Sequence, residues 1–107
     1  WEDLQRRARR ITAKIKKKCP QADISVVETE SEVGGGSFPD MIIPSVGIEV
    51  VPSPMTADAF EKRLRRYAVP VIARIEHERL IFDMRTVLAY DEPDLAAAII
   101  SVYTDAP

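Results

Sequence analysis

A chain of 107 residues, 46% of them apolar, is long enough for one compact core and too short for two comfortable ones. No apolar run approaches the roughly 20 residues of a membrane span. A single cysteine and a single histidine argue against an internal disulfide and a Cys- or His-rich metal site, so no metal ligands are assigned and a reducing, cytoplasmic setting is expected. The net charge of −2 conceals a division of labour. Residues 1–19 carry eight basic side chains against two acids, whereas the rest carries seven basic and fifteen acidic residues. Trp1-Glu2-Asp3-Leu4 has neither an initiating methionine nor the layout of a signal peptide, and the chain reads as starting inside a longer polypeptide.

Trp1, Leu4, Ala8, Ile11, Ile15 and Cys19 recur at intervals of three and four, which predicts a helix over 1–19 with one apolar stripe. Basic side chains fill its other faces, and Pro20 stops it. Ile24–Glu28 reads as a strand. Three consecutive glycines, Gly34-Gly35-Gly36, then predict irregular backbone. A second extended stretch runs from Met41 to Val51, broken at Pro44. Thr56 is a good N-cap for a helix burying Phe60, Leu64 and Tyr67.

From Pro70 the pattern becomes a β-hairpin turning at His77-Glu78. Val71, Ala73 and Ile75 share one face of its first arm, and Leu80, Phe82 and Met84 share one face of its second. His-Glu is not a favoured two-residue turn, which leaves the register open. Asp91 is the expected cap of a last helix with Leu95, Ile99 and Val102 buried. The order α-β-β-α-β-β-α predicts an α+β fold: one domain, a mostly antiparallel sheet with helices on one face. Residues 23–107 form its body, and the basic helix over 1–19 is read as a linker.

Few residues suggest chemistry. Glycine runs let backbone approach a ligand and point N–H groups at an anion, but Gly34–Ser37 matches neither a Walker loop nor a dinucleotide fingerprint, and a tight connection explains it as well. Arg6, Arg9, Arg10 and Lys17 form a basic surface suited to RNA phosphates, or to solvent. Arg85, at a strand end beside Asp83, is placed either to clamp a substrate carboxylate or to make a structural ion pair. His77 falls in a turn between acids, and Cys19 belongs to an apolar stripe. All five lysines fall on polar helix faces, where a Schiff-base lysine with its lowered pKa is not expected. No catalytic residue is assigned to this chain.

Three blocks taken together are more specific: Glu30-Ser31-Glu32-Val33-Gly34-Gly35-Gly36-Ser37-Phe38-Pro39, Pro70-Val71-Ile72-Ala73-Arg74-Ile75-Glu76, and Leu80-Ile81-Phe82-Asp83-Met84-Arg85-Thr86-Val87-Leu88. In order and spacing they resemble the C-terminal part of the selenocysteine synthase family (L-seryl-tRNA(Sec) selenium transferases). Glu32 stands where the family usually has glutamine, and Phe82 and Met84 stand where it has leucines.

The resemblance implies the small C-terminal domain of a fold-type-I pyridoxal-phosphate enzyme. It packs on its own large domain, which lies outside this chain and binds the cofactor through a lysine, so the chain alone is expected to be inactive. The implied activity is transfer of selenium from selenophosphate to seryl-tRNA(Sec) by a homo-oligomer, without a membrane partner. Gly34, Gly35, Gly36 and Ser37 would line the active-site entrance, with Arg85 near the substrate. Two alternatives accompany it: a related pyridoxal-phosphate lyase that eliminates ammonia from an amino-sugar acid without tRNA, and a non-catalytic RNA-binding module using the basic helix.

Overall fold

The structure, a computed structural model, describes residues 2–32, 42–67 and 73–104. The apolar stripe at the N-terminus forms helix α1 (Glu2–Lys18), which buries Leu4, Ala8, Ile11 and Ile15. Cys19, one residue past the helix, is fully enclosed, whereas Trp1 lies outside the described residues. Glu2 and Asp3 occupy the first turn of α1 and Lys16, Lys17 and Lys18 the last, each sign complementing the helix dipole.

Strands β1 (Ile24–Glu32) and β2 (Ile42–Val50) form an antiparallel ribbon whose rungs run from Ile24–Val50 to Glu32–Ile42. The break expected at Pro44 does not occur, because β2 continues straight through it. The Pro44 carbonyl accepts hydrogen bonds from Arg85, so it faces away from β1, and the ring nitrogen faces the same way. On that side β2 pairs with its other neighbour only from Gly47 to Val50. The missing N–H therefore removes no rung from the sheet.

Thr56 caps helix α2 (Ala57–Leu64), its Oγ1 accepting the Ala59 N–H at 3.1 Å. Strands β3 (Arg74–Glu76) and β4 (Arg79–Asp83) form the expected hairpin around His77-Glu78, with Glu76 opposite Arg79. Both turn residues have positive φ, 51° and 62°, as a type I′ turn requires. Neither is a glycine, but Glu78 gains a tertiary partner, since its carboxylate accepts the Ala57 N–H at the start of α2. Helix α3 (Glu92–Thr104) follows directly on a 3-10 turn, Ala89–Asp91. Asp91, the expected cap, instead closes that turn through its backbone, donating to the Leu88 carbonyl at 2.9 Å.

Among the described residues, three α-helices and a four-stranded antiparallel sheet of order β1-β2-β4-β3 make up the α+β arrangement expected. The register aligns Ile24, Val50 and Leu80 across three strands, and Val26, Ile48 and Phe82 beside them. All three helices bury their apolar stripes on this face in one continuous core, with Phe60 edge-on to Tyr103 at 5.4 Å.

The alternation expected for the hairpin is only half realised. Ile81 and Asp83, on the opposite face of β4, are buried too, while Ile75 of β3 is 37% exposed. The cause is a strong coil in the ribbon. Arg74 of β3 donates to the Glu30 carbonyl and to Thr29 Oγ1 of β1, although two strands separate β3 from β1. The far half of the ribbon thus curls across the back of the sheet and covers Ile81. Gly47 permits the approach: a Cβ there would stand 3.0 Å from the Phe82 carbonyl oxygen and 3.2 Å from Cγ2 of both Ile81 and Thr29. Replacing it, Gly47→Ala, is expected to destabilise the fold by about 1–3 kcal/mol through overpacking against backbone, measured as a shift in the urea midpoint with little change in slope.

Candidate functional site

The segment Asp83-Met84-Arg85-Thr86 is built around one carboxylate. Asp83 Oδ1 accepts the Arg85 N–H at 3.0 Å, which starts a 3-10 turn over Met84–Thr86 and ends β4. The same oxygen accepts the Ser45 hydroxyl at 2.5 Å from within β2. Thr86 Oγ1 returns to the Asp83 carbonyl at 2.8 Å. Both Ser45 and Asp83 are buried, so Oδ1 of the carboxylate is satisfied inside the protein. Arg85 is exposed, and its guanidinium donates Nε and Nη2 to the Pro44 carbonyl at 3.2 and 2.8 Å. Its described side-chain contacts are thus with main chain.

The basic helix divides into an anchored edge and an open face. Arg7 is only 15% exposed; it donates Nε to the Glu92 carboxylate and Nη2 to the Val87 carbonyl. Arg10 adds a bond from Nη2 to Glu92 Oε1 at 2.9 Å. Two guanidinium groups of α1 therefore grip the first residue of α3. Burial alone would raise the Glu92 carboxyl, but hydrogen bonds and charge from Arg7 and Arg10 outweigh it and hold the group below its usual value. Beside this clamp an open groove of about 310 Å³ separates the helices, lined by Arg10, Lys14, Pro93 and Ala96 among others. Arg6 makes a loose, exposed pair with Asp3 at 3.5 Å. Arg9 and Lys17 are exposed.

The residues singled out from sequence are thus scattered. Arg6, Arg9, Arg10 and Lys17 lie on α1, Arg85 lies at the far end of β4, and Gly34, Gly35, Gly36 and Ser37 lie outside the described residues. Cys19 has its Sγ 4.0 Å from the Ile100 carbonyl, and burial raises its thiol, which keeps it protonated and unreactive. His77 is exposed in its turn, and all five lysines are exposed. Among the described residues no group of three or more His, Cys, Asp or Glu is arranged to hold a metal ion. No described helix is long and apolar enough to cross a membrane.

Sequence reasoning passed over Arg7, Ser45 and Arg74. Asp83 carried a usable signal, because an aspartate two residues before a turn N–H is a recurrent local cap. The other three make contacts across long sequence separations that no local pattern announces.

Fold and site together define a small α+β domain with a basic helix clamped across the start of its last helix. A family model described as L-seryl-tRNA selenium transferase matches residues 1–88. An L-seryl-tRNA(Sec) selenium transferase from Desulfotalea psychrophila is 33% identical over 95% of this chain and 21% of its own length. Those from Carboxydothermus hydrogenoformans and Aquifex aeolicus are 37% and 33% identical over 81% and 82% of this chain, each over 19% of its own length. The chain belongs to the L-seryl-tRNA selenium transferase family. It spans about a fifth of the length of these curated relatives.

The Glu92 clamp makes a pH prediction. A carboxyl held below its unfolded value contributes stability above that value, near 4.5, and loses it as pH falls through the lower folded value. Glu92→Gln is expected to cost roughly 3 kcal/mol at neutral pH, the low end for breaking a buried pair because Arg10 is largely solvated. It is also expected to flatten the acid limb of stability below pH 4.5, as followed by urea unfolding from pH 7 to 3.

Proposed function

We propose that this chain is the small domain of a pyridoxal-phosphate-dependent transferase that converts L-seryl-tRNA(Sec) to L-selenocysteinyl-tRNA(Sec) with selenophosphate. One observation carries the reading: relatives bearing that name match the chain over 81–95% of its length, and the family model runs over residues 1–88, through both strand pairs. Pyridoxal phosphate, when bound, supplies the electron sink for removing and replacing the seryl hydroxyl. The lysines here do not fit a cofactor-holding role. Each is exposed to solvent on a helix surface, whereas a Schiff-base lysine must be enclosed with its cofactor. In this reading the cofactor lysine belongs to the portion of the enzyme equivalent to the remaining four-fifths of the relatives, and the small domain serves as its companion. Homo-oligomeric assembly and a location with the soluble translation machinery accompany the proposal.

The outward face of α1 supports a tRNA role within the same reading. Arg9 and Lys17 make no ion pair among the described residues, so their charge is available to phosphate. Arg10 is already committed to Glu92, and Arg6 is partly offset by Asp3.

Two measurements on the intact protein test these statements. Purified enzyme is expected to show the absorbance of bound pyridoxal phosphate and to transfer selenium to seryl-tRNA(Sec). A colourless protein, or one that releases ammonia from a free amino acid and leaves charged tRNA untouched, overturns the transferase reading. Neutralising Arg9 and Lys17 to glutamine is expected to weaken tRNA binding and to reduce the slope of log affinity against log salt by about 1 per contact. An unchanged slope removes the face from the tRNA interface.

A further inference from the structure

Two arginines, one from β3 and one from the turn after β4, converge on one rung of the β1–β2 ribbon. Glu30 and Pro44 are direct partners in that ribbon. Arg74 of β3 donates Nη1 to the Glu30 carbonyl at 3.2 Å and Nη2 to the adjoining Thr29 hydroxyl at 2.5 Å. Arg85, in the turn after β4, places two donors on the Pro44 carbonyl. Each strand of the rung is thus held through its main chain by a different guanidinium. Only two further rungs, Ser31–Ile43 and Glu32–Ile42, separate this one from the end of the ribbon, where residues 33–41 with their three glycines are attached.

Both contacts have a physical cause. Pairing of β2 with β4 ends at Gly47–Asp83, because Asp83 caps a turn that carries β4 away. Beyond that rung β2 loses its ladder partner on one side. The Arg85 guanidinium takes the place of the strand N–H that would otherwise satisfy Pro44. Arg74, for its part, can reach β1 only because the ribbon coils over Gly47. The Arg74 fork is also braced at Nε by Glu76, which limits its freedom to swing. Arg79, on the same hairpin, is different: among the described residues its guanidinium bonds to a side chain, the Glu49 carboxylate at 3.0 Å.

We propose that Arg74 and Arg85 are positioning residues, a clasp on the Glu30–Pro44 rung that holds the end of the β1–β2 ribbon in the orientation needed for turnover. The inference rests on the transferase reading for its activity, while the clasp has a readout of its own. In intact enzyme, Arg74→Ala and Arg85→Ala are each expected to lower kcat roughly tenfold, with KM for seryl-tRNA changed little, since misplacement penalises the reacting geometry more than substrate capture. The double variant is expected to fall less than the product of the two, because both residues serve one rung. Arg85→Lys should recover much of the loss, as one ammonium can still reach one carbonyl. Arg74→Lys should not, since a fork is needed to bond Thr29, Glu30 and Glu76 together. Arg79→Ala serves as the control and should match wild type.

The independent readout is amide hydrogen exchange followed by mass spectrometry on the same proteins. Peptides covering 28–32 and 42–46 are expected to exchange faster in the two alanine variants and not in Arg79→Ala. Wild-type turnover in both variants, activity loss that merely tracks a loss of folded protein, or unchanged ribbon exchange overturns the clasp. If wild-type enzyme transfers no selenium, it is the transferase reading that fails. The clasp is then decided by exchange alone, with faster ribbon exchange supporting it and unchanged exchange refuting it.

Discussion

The rung that pairs Gly47 with Asp83 is the constraint on which much of this domain turns. On one side of it a glycine leaves room for the ribbon to coil until Thr29 lies within van der Waals reach of the sheet. On the other, a buried carboxylate ends β4 by capping the turn at Met84–Thr86 and ties that turn to Ser45 of β2. Side chain and backbone cooperate here, since a larger residue at 47 would push the ribbon off the sheet that Asp83 fastens from the opposite strand. The burial of Ile81, the span of Arg74 and the tolerance of Pro44 all follow from the geometry at this point.

A second fixed point lies on the helical layer. α1 and α3 are at opposite ends of the chain, and an ionic clamp of Arg7 and Arg10 on Glu92 joins them above a shared apolar seam. The apolar stripe of α1 would bring the helices together without these charges. The clamp adds specificity by fixing which turn of α1 meets the first turn of α3. Its carboxylate also sits at the positive end of the α3 dipole, so one residue satisfies three electrostatic demands.

Arginine is used in two distinct ways. Arg7 and Arg10 meet a carboxylate, and their contribution varies with pH. Arg74 and Arg85 each reach a main-chain carbonyl of the β1–β2 ribbon, an acceptor that does not titrate and is not removed by substituting the residue that bears it, although Arg74 adds side-chain bonds to Thr29 and Glu76. The candidate site was only partly legible beforehand. Arg85 and Asp83 stood out because their neighbours form a family-like block, yet the partner of Arg85, the carbonyl of a proline 41 positions away, carries no side-chain signature. Arg74 was visible only as a polar member of an alternating strand.

By itself the sequence determined the layout of elements, because that information is local. Spacings of three and four made α1, Thr56 capped α2, and alternation about His77-Glu78 made the hairpin. It also determined the face on which the helices pack, since burial of apolar side chains depends on periodicity more than on particular partners. Tertiary structure alone decided the rest: that β2 continues through Pro44, that β4 is buried on both faces, and that Arg10 is spent on Glu92. Each of these depends on which main-chain groups and charges meet across long stretches of chain, up to 85 positions for Arg7 and Glu92. Such meetings are set by the coil of a sheet and the crossing of two helices, for which no short stretch of residues holds the instruction.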